Sequence, residues 1–193
     1  MTKTSRSPLV LMMFVAVAAI AAPPPSTKAV AGPVSAQQAY DSAREAALRW
    51  RPDARMFDLG TTSEGPLDGE GRSAEWSIKW SSQAGGDVNL MLVKNGKVEA
   101  FAHPGAGGRV IELQPDSIMD SKKLLEMADA AAGAAARAAG NRVSLGLVQN
   151  PRTGVGPLWH VSYAPVEADG RRGTEAVHVA IEAKGGKLQV LKP

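Results

Sequence analysis

The sequence predicts an α+β protein made of two repeats, each a helix packed on an antiparallel sheet. Two observations carry this expectation. The first is a pattern that occurs twice. Trp76-Ser77-Ile78-Lys79-Trp80 is followed by Val88-Asn89-Leu90-Met91-Leu92 and then by Asn95-Gly96-Lys97-Val98. Trp159-His160-Val161-Ser162-Tyr163 is followed by Val177-His178-Val179-Ala180-Ile181 and then by Gly185-Gly186-Lys187-Leu188. The second is an Ala-rich helical stretch ahead of each copy. A helix of this kind cannot bury its apolar stripe without a sheet to lie on. The organisation expected is a signal peptide over residues 1–31, a first helix-plus-sheet repeat over 32–104, a linker over 105–116 and a second repeat over 117–193.

The leader is read as a targeting segment. Lys3 and Arg6 form a basic start, and an apolar run from Leu9 to Ala22 is too short for a convincing membrane span. Ala19-Ile20-Ala21 and Ala29-Val30-Ala31 are small-residue cleavage sites. The second is preferred, because Pro23-Pro24-Pro25-Ser26-Thr27 reads as a polar, helix-breaking stretch before it. The alternative is an uncleaved N-terminal anchor. The expected location is therefore periplasmic or secreted, with no stable membrane insertion after cleavage.

The first helix starts at Ser35, where Ser35-Ala36-Gln37-Gln38 fits a capping box. Ala39, Ala43, Ala46, Ala47 and Trp50 recur at helical spacing, and Pro52 ends the run. A strand is expected over 55–61, with Met56 and Asp58 on opposite faces, and a Gly/Pro-rich loop over 63–72. Residues 74–81 alternate cleanly, with Trp76, Ile78 and Trp80 on one face. Ala84-Gly85-Gly86-Asp87 is a hairpin turn. Val88, Leu90 and Leu92 are read as the core face of the next strand, and Asn95-Gly96 turns into another. Residues 110–113 form a short apolar connector or edge strand. A second helix is expected from Ser117 or Asp120 to Ala139, with Leu124, Leu125, Ala128, Ala131, Ala132, Ala135 and Ala139 as its stripe. Gly133 weakens it slightly and Gly140 caps it. Strands follow over 143–148, 158–164 and 175–191, with a loop over 150–157.

Composition excludes several function classes. The chain has no cysteine, so disulfides, thiolate metal sites, a lipid-modified N-terminal cysteine and cysteine nucleophiles are out. The net charge is +3, but Lys3, Arg6 and Lys28 fall in residues 1–31, which hold no acid, and the remainder is neutral. A neutral domain lacks the electrostatic footprint of a nucleic-acid binder, so no nucleic-acid partner is expected.

Taken together, Ala39-x3-Ala43-x3-Ala47-Leu48, Pro52-x-Ala54, the Trp76-x-Ile78-x-Trp80 strand and the hairpin into Asn95-Gly96-Lys97-Val98 resemble the PepSY domain family. The second copy continues the resemblance in Trp159-x-Val161-x-Tyr163 and Gly186-Lys187-Leu188. The family shows an acidic residue before the turn glycine, where this chain has Lys94-Asn95 and Lys184-Gly185. The resemblance implies a cystatin-like α+β fold and an exported, non-catalytic domain that binds or restrains other proteins, peptidases included.

Polar constellations have plain readings. Trp76, Trp80, Trp159 and Tyr163 are in register with Ile78 and Val161 and are read as core. His160, Ser162, His178 and Glu182 share one sheet surface if their strands pair, which permits a metal site or a Ser–His–Glu relay. Strand-face polar groups are ordinarily only solvated, and no catalytic, cofactor-binding or metal-ligating residue is assigned. Gly105-Ala106-Gly107-Gly108 lacks the phosphate-loop pattern and reads as a hinge. Asp68, Glu70 and Asp87 read as turn chemistry, as does Asp169-Gly170, with Arg171-Arg172 an exposed positive tip. The function expected is an exported, non-catalytic module that binds or inhibits a peptidase or another envelope protein, through an edge strand or the cleft between units. The alternative is a small-ligand carrier or sensor with a pocket between helix and sheet.

Overall fold

The computed structural model describes residues 32–105, 110–149 and 156–191. The signal peptide over 1–31, most of the Gly105–Gly108 hinge and most of the 150–157 loop lie outside the described residues. Among the described residues, one helical segment precedes each of two sets of four strands. Helix α1 spans Ala36–Trp50, followed by β1 (Ala54–Thr61), β2 (Glu75–Ser82), β3 (Asp87–Lys94) and β4 (Lys97–His103). A second, bent helix joins α2 (Ser121–Ala128), a π-helical turn (Asp129–Gly133) and α3 (Ala134–Ala138). Then come β5 (Arg142–Val148), β6 (Leu158–Ala164), β7 (Val177–Glu182) and β8 (Leu188–Leu191).

All eight strands form one antiparallel sheet in the order β4-β3-β2-β1-β5-β6-β7-β8. This corrects the expected α+β class. The molecule is mainly β, with a single continuous sheet instead of two helix-on-sheet repeats. The physical reason lies at β1 and β5, which separate units would leave as open edges. They pair with each other at Leu59–Leu147 and Gly60–Gly146, so neither edge stays unpaired.

That seam is short, with two register pairs against seven between β5 and β6. It is also tight. A Cβ on Gly60 would sit 2.9 Å from the Leu145 carbonyl oxygen, whereas one on Gly146 meets nothing within 4 Å. Gly60→Ala is therefore expected to destabilise by about 1–3 kcal/mol, as overpacking does. Gly146→Ala is expected to stay within about 0.5 kcal/mol. Urea midpoints of the two variants check this, and equal midpoints would refute the tight-seam account.

The helices share one face. Met91, Ile78, Leu59, Leu147, Trp159 and Ile181 are successive register partners across six strands, and all are fully buried. α1 starts with the expected capping box: Gln38 N–H donates to the Ser35 hydroxyl and Ser35 N–H to the Gln38 side chain. Its small residues Ala36, Ala39, Ala43 and Ala47 let it lie close on β1–β3. Tyr40 joins them, stacked on Trp80 with ring centroids 5.8 Å apart. Met56 and Asp58 do point to opposite faces, because a register shift between them interrupts the alternation. The Asn95-Gly96 turn has positive φ at both positions, as a two-residue hairpin of this type needs.

Two local expectations are corrected, and one open alternative is decided. In β3 the core face is Asn89, Met91 and Val93, which pair with Trp80, Ile78 and Trp76. Val88, Leu90 and Leu92 lie on the opposite face. Both faces of this strand are apolar, so alternation alone leaves its phase open, and pairing with β2 decides it. In the second helix the π-helical turn adds a residue and rotates the stripe. Gly133 is buried there, while Ala131, Ala135 and Ala139 are exposed. Residues 110–113 form no strand. Leu113 is buried and its N–H bonds to the Met56 carbonyl at 2.8 Å, strapping the connector across β1.

Candidate functional site

The helices leave the other sheet face uncovered, and the polar residues singled out by the sequence gather there. One transverse row runs Leu92, Ser77, Gly60, Gly146, His160, Ala180, Gln189. Its middle is bare backbone, so the centre of the face is a shallow trough. On the β5–β7 side the trough becomes a cleft of about 260 Å³ lined by Thr61, Ser144, Gly146, His160, Ser162 and Arg172. It shares Thr62, Ser63, Ser144 and Arg172 with a neighbouring cleft of about 380 Å³, which adds Glu64, Arg142, Asp169 and Arg171.

His160 and His178 come together as the strand pairing suggests. Nδ1 of His160 lies 2.8 Å from Nε2 of His178. The acid beside them is not Glu182, which pairs in register with Leu158, but Glu175. Its carboxylate lies 3.3 Å from Nδ1 of His178 and 2.7 Å from the Arg172 guanidinium. No sequence signal points to Glu175, because it lies just before β7 and outside the strand alternation. Burial, and then the neighbouring His178, pull the His160 pKa below its ordinary value, partly opposed by Glu175.

This geometry decides what the cluster can do. Nε2 of His178 faces His160 and its Nδ1 lies beside Glu175, while Ser162, its register partner, has no hydrogen bond to either ring. The Ser162, histidine and Glu182 groups are therefore not joined in a hydrogen-bonded relay among the described residues. Two imidazole nitrogens at 2.8 Å spend their lone pair and proton on each other. Among the described residues no group of three or more His, Asp or Glu is arranged to hold a metal ion.

The β3–β4 side of the same face carries an apolar strip bordered by Lys79, Glu99 and His103. Leu90 pairs with Phe101, which is 45% exposed, and Leu92 and Val88 flank them. β4 is the sheet edge, and six of its seven side chains are exposed.

The other singled-out residues have structural partners. Trp76, Trp159 and Tyr163 are fully buried and Trp80 nearly so. Asp68 accepts from the N–H groups of Glu70 and Arg72 within its own turn, and Glu70 pairs with Lys122. Asp87 binds Arg51 and the Gly105 N–H, and Asp169 binds Arg171. No helix among the described residues is long and apolar enough to cross a membrane. No family model, curated protein or solved structure matches this chain.

Proposed function

We propose that this chain is an exported, non-catalytic binding module that takes an extended segment of another exported or envelope protein along β4. The export half rests on the basic, apolar and small-residue order of the leader. The binding half rests on one observation: β4 is a seven-residue strand paired on one side only among the described residues, with Phe101 exposed beside Leu90 and Leu92. Such an edge offers main-chain hydrogen bonds for affinity, and the apolar patch offers side-chain selection. Proteins that do not use an edge shorten or cover it, as the four-residue β8 does at the other end.

The test is selection from a displayed library of random linear peptides against the protein, followed by amide hydrogen exchange. Selected peptides should alternate apolar and polar residues and slow exchange across Lys97–His103. Phe101→Glu should weaken them at least about tenfold while leaving the melting temperature within a few degrees. Peptides that protect another region, or bind the Phe101 variant equally, would reject the edge-strand reading.

A small-ligand carrier is the second reading, favoured by Trp80. Its indole nitrogen is buried without a hydrogen-bond partner, and its ring lines a cleft of about 270 Å³ with Tyr40, Arg44, Arg55 and Glu112. It ranks second because Trp76 and Trp159, the rings expected above a ligand pocket, are packed solid.

A further inference from the structure

We propose that the cleft floored by Gly146 binds a carboxylate, held by the Ser144 and Ser162 hydroxyls and Arg172, with one proton taken up at Nε2 of His160. The site is separate from the β4 edge and does not depend on that reading.

The hydroxyls carry the first part. Ser162 is only 7% exposed, lines the cleft, and has no hydrogen-bond partner among the described residues. The hydroxyl opens onto the cleft, so an acceptor bound there meets a donor that no protein group already occupies. Ser144, its register partner on β5, lines the same cleft and is equally unpartnered. Over Gly146 there is open space where any other residue would place a side chain. Donors thus surround an empty, backbone-floored hollow.

The histidine pair carries the second part. The Glu175 carboxylate, 3.3 Å from Nδ1 of His178, favours the tautomer protonated at that nitrogen. In that tautomer Nε2 of His178 accepts from Nδ1 of His160. That leaves Nε2 of His160 as the one nitrogen of the pair free to titrate without breaking the hydrogen bond between the rings. Neutral, it is an acceptor. Protonated, it is a charged donor on the wall of the cleft.

The surrounding charges favour a single negative charge. Arg171 is met by Asp169 and Arg172 by Glu175. Arg142 on β5 and Glu64 after β1 line the adjoining cleft without ion-pair partners and offset each other. Glu182, the remaining acid on this face of β7, lies beyond Ala180 from His178. A carboxylate adds one charge, which one proton at His160 matches. A phosphate dianion adds a second charge that nothing there matches. Burial holds His160 neutral near neutral pH, so an anion that favours the charged ring raises its pKa. Affinity then increases as pH falls through the pKa of the ring in the complex toward the lowered pKa of the free ring.

The experiment is an NMR titration of the three histidine rings, with exposed His103 as internal control. Acetate, N-acetyl-glycylglycine, its C-terminal amide and inorganic phosphate are the probes. Either carboxylate should raise the His160 pKa and leave His103 unmoved. Comparable binding of acetate and peptide identifies a small free acid, and peptide binding at least about tenfold tighter identifies a polypeptide C terminus. Ser162→Ala should weaken the carboxylate at least about tenfold with His103 unchanged, and Ser144→Ala should do the same in a separate variant. The proposal is overturned if the amide acts like the acid, if phosphate shifts His160 more than either carboxylate, or if no probe moves it.

Discussion

Trp159→Ala is expected to lower the free energy of unfolding by about 3–5 kcal/mol, and Trp76→Ala by a similar amount. Both rings are fully buried, so truncation removes the largest side chain of its strand and leaves a void. Each indole also does something a phenyl ring could not. Trp76 donates to the Val34 carbonyl at 2.9 Å, and Trp159 to the Ser117 carbonyl at 3.0 Å. Val34 immediately precedes the cap of α1, and Ser117 closes the short 3-10 turn that leads into α2. Each tryptophan therefore pins the entry of a helix to the sheet beneath it. Phe in place of Trp159 keeps most of the volume and orphans the Ser117 carbonyl, which costs about 1–3 kcal/mol, whereas Phe in place of Trp76 leaves the Val34 carbonyl its bond from the Ser73 N–H at 3.0 Å and costs about 0.5–1.5 kcal/mol. Urea denaturation of the four variants separates the two contributions. A loss below about 1 kcal/mol for Trp→Ala would mean that the rings do not pack as described.

Gly133→Ala is the second large effect, and its sign is the informative part. In an ordinary helix the change stabilises by about 1 kcal/mol. Here the new Cβ would overlap the Tyr163 ring. Tyr163 cannot simply swing away, because it is fully buried and its hydroxyl donates to Asp129 at 2.8 Å, within the same π-helical turn. Asp129 is in turn paired with Arg137 at 2.6 Å. Burial, reinforced by this acceptor, raises the Tyr163 pKa and keeps the phenol neutral. Gly133→Ala is expected to destabilise by about 1–3 kcal/mol. In a Tyr163→Ala background the same change should become neutral or stabilising, and thermal melts of the double-mutant cycle check it. A stabilising effect in the wild-type background would mean that the ring relocates freely.

The sequence makes parts of this structure legible for clear reasons. Trp76, Ile78 and Trp80 alternate with polar residues, so their face is unambiguous, and the same holds for Trp159, Val161 and Tyr163. The Ser35 cap and the Asn95-Gly96 turn are chemical signals confined to a few residues. What stayed hidden depends on distant partners. The β3 phase rests on pairing with β2, because Val88 to Val93 is apolar on both faces. The joining of all strands into one sheet rests on Gly60 and Gly146, which carry no side chain to advertise a contact. Gly133 looks like a flaw in a helix until Tyr163 is laid over it. At the histidine cleft the pairing of His160 with His178 follows from strand register. Glu175 does not, since turn geometry brings it there.

The narrow β1–β5 seam bears on how the chain acquires its structure in time. β1 to β4 pair with their neighbours through nearby segments, as do β5 to β8, so each set forms from contacts close in sequence. The seam joins Leu59 to Leu147 and closes the longest loop of any strand pair, with few hydrogen bonds in return. The cost of closing that loop makes it the expected last step of assembly. A nascent chain that has not yet released β5 carries β1 as a raw strand edge, its backbone unpaired and its neighbours apolar. Over that interval the protein is most exposed to mispairing with another chain, and a chaperone that shields β1 would act there.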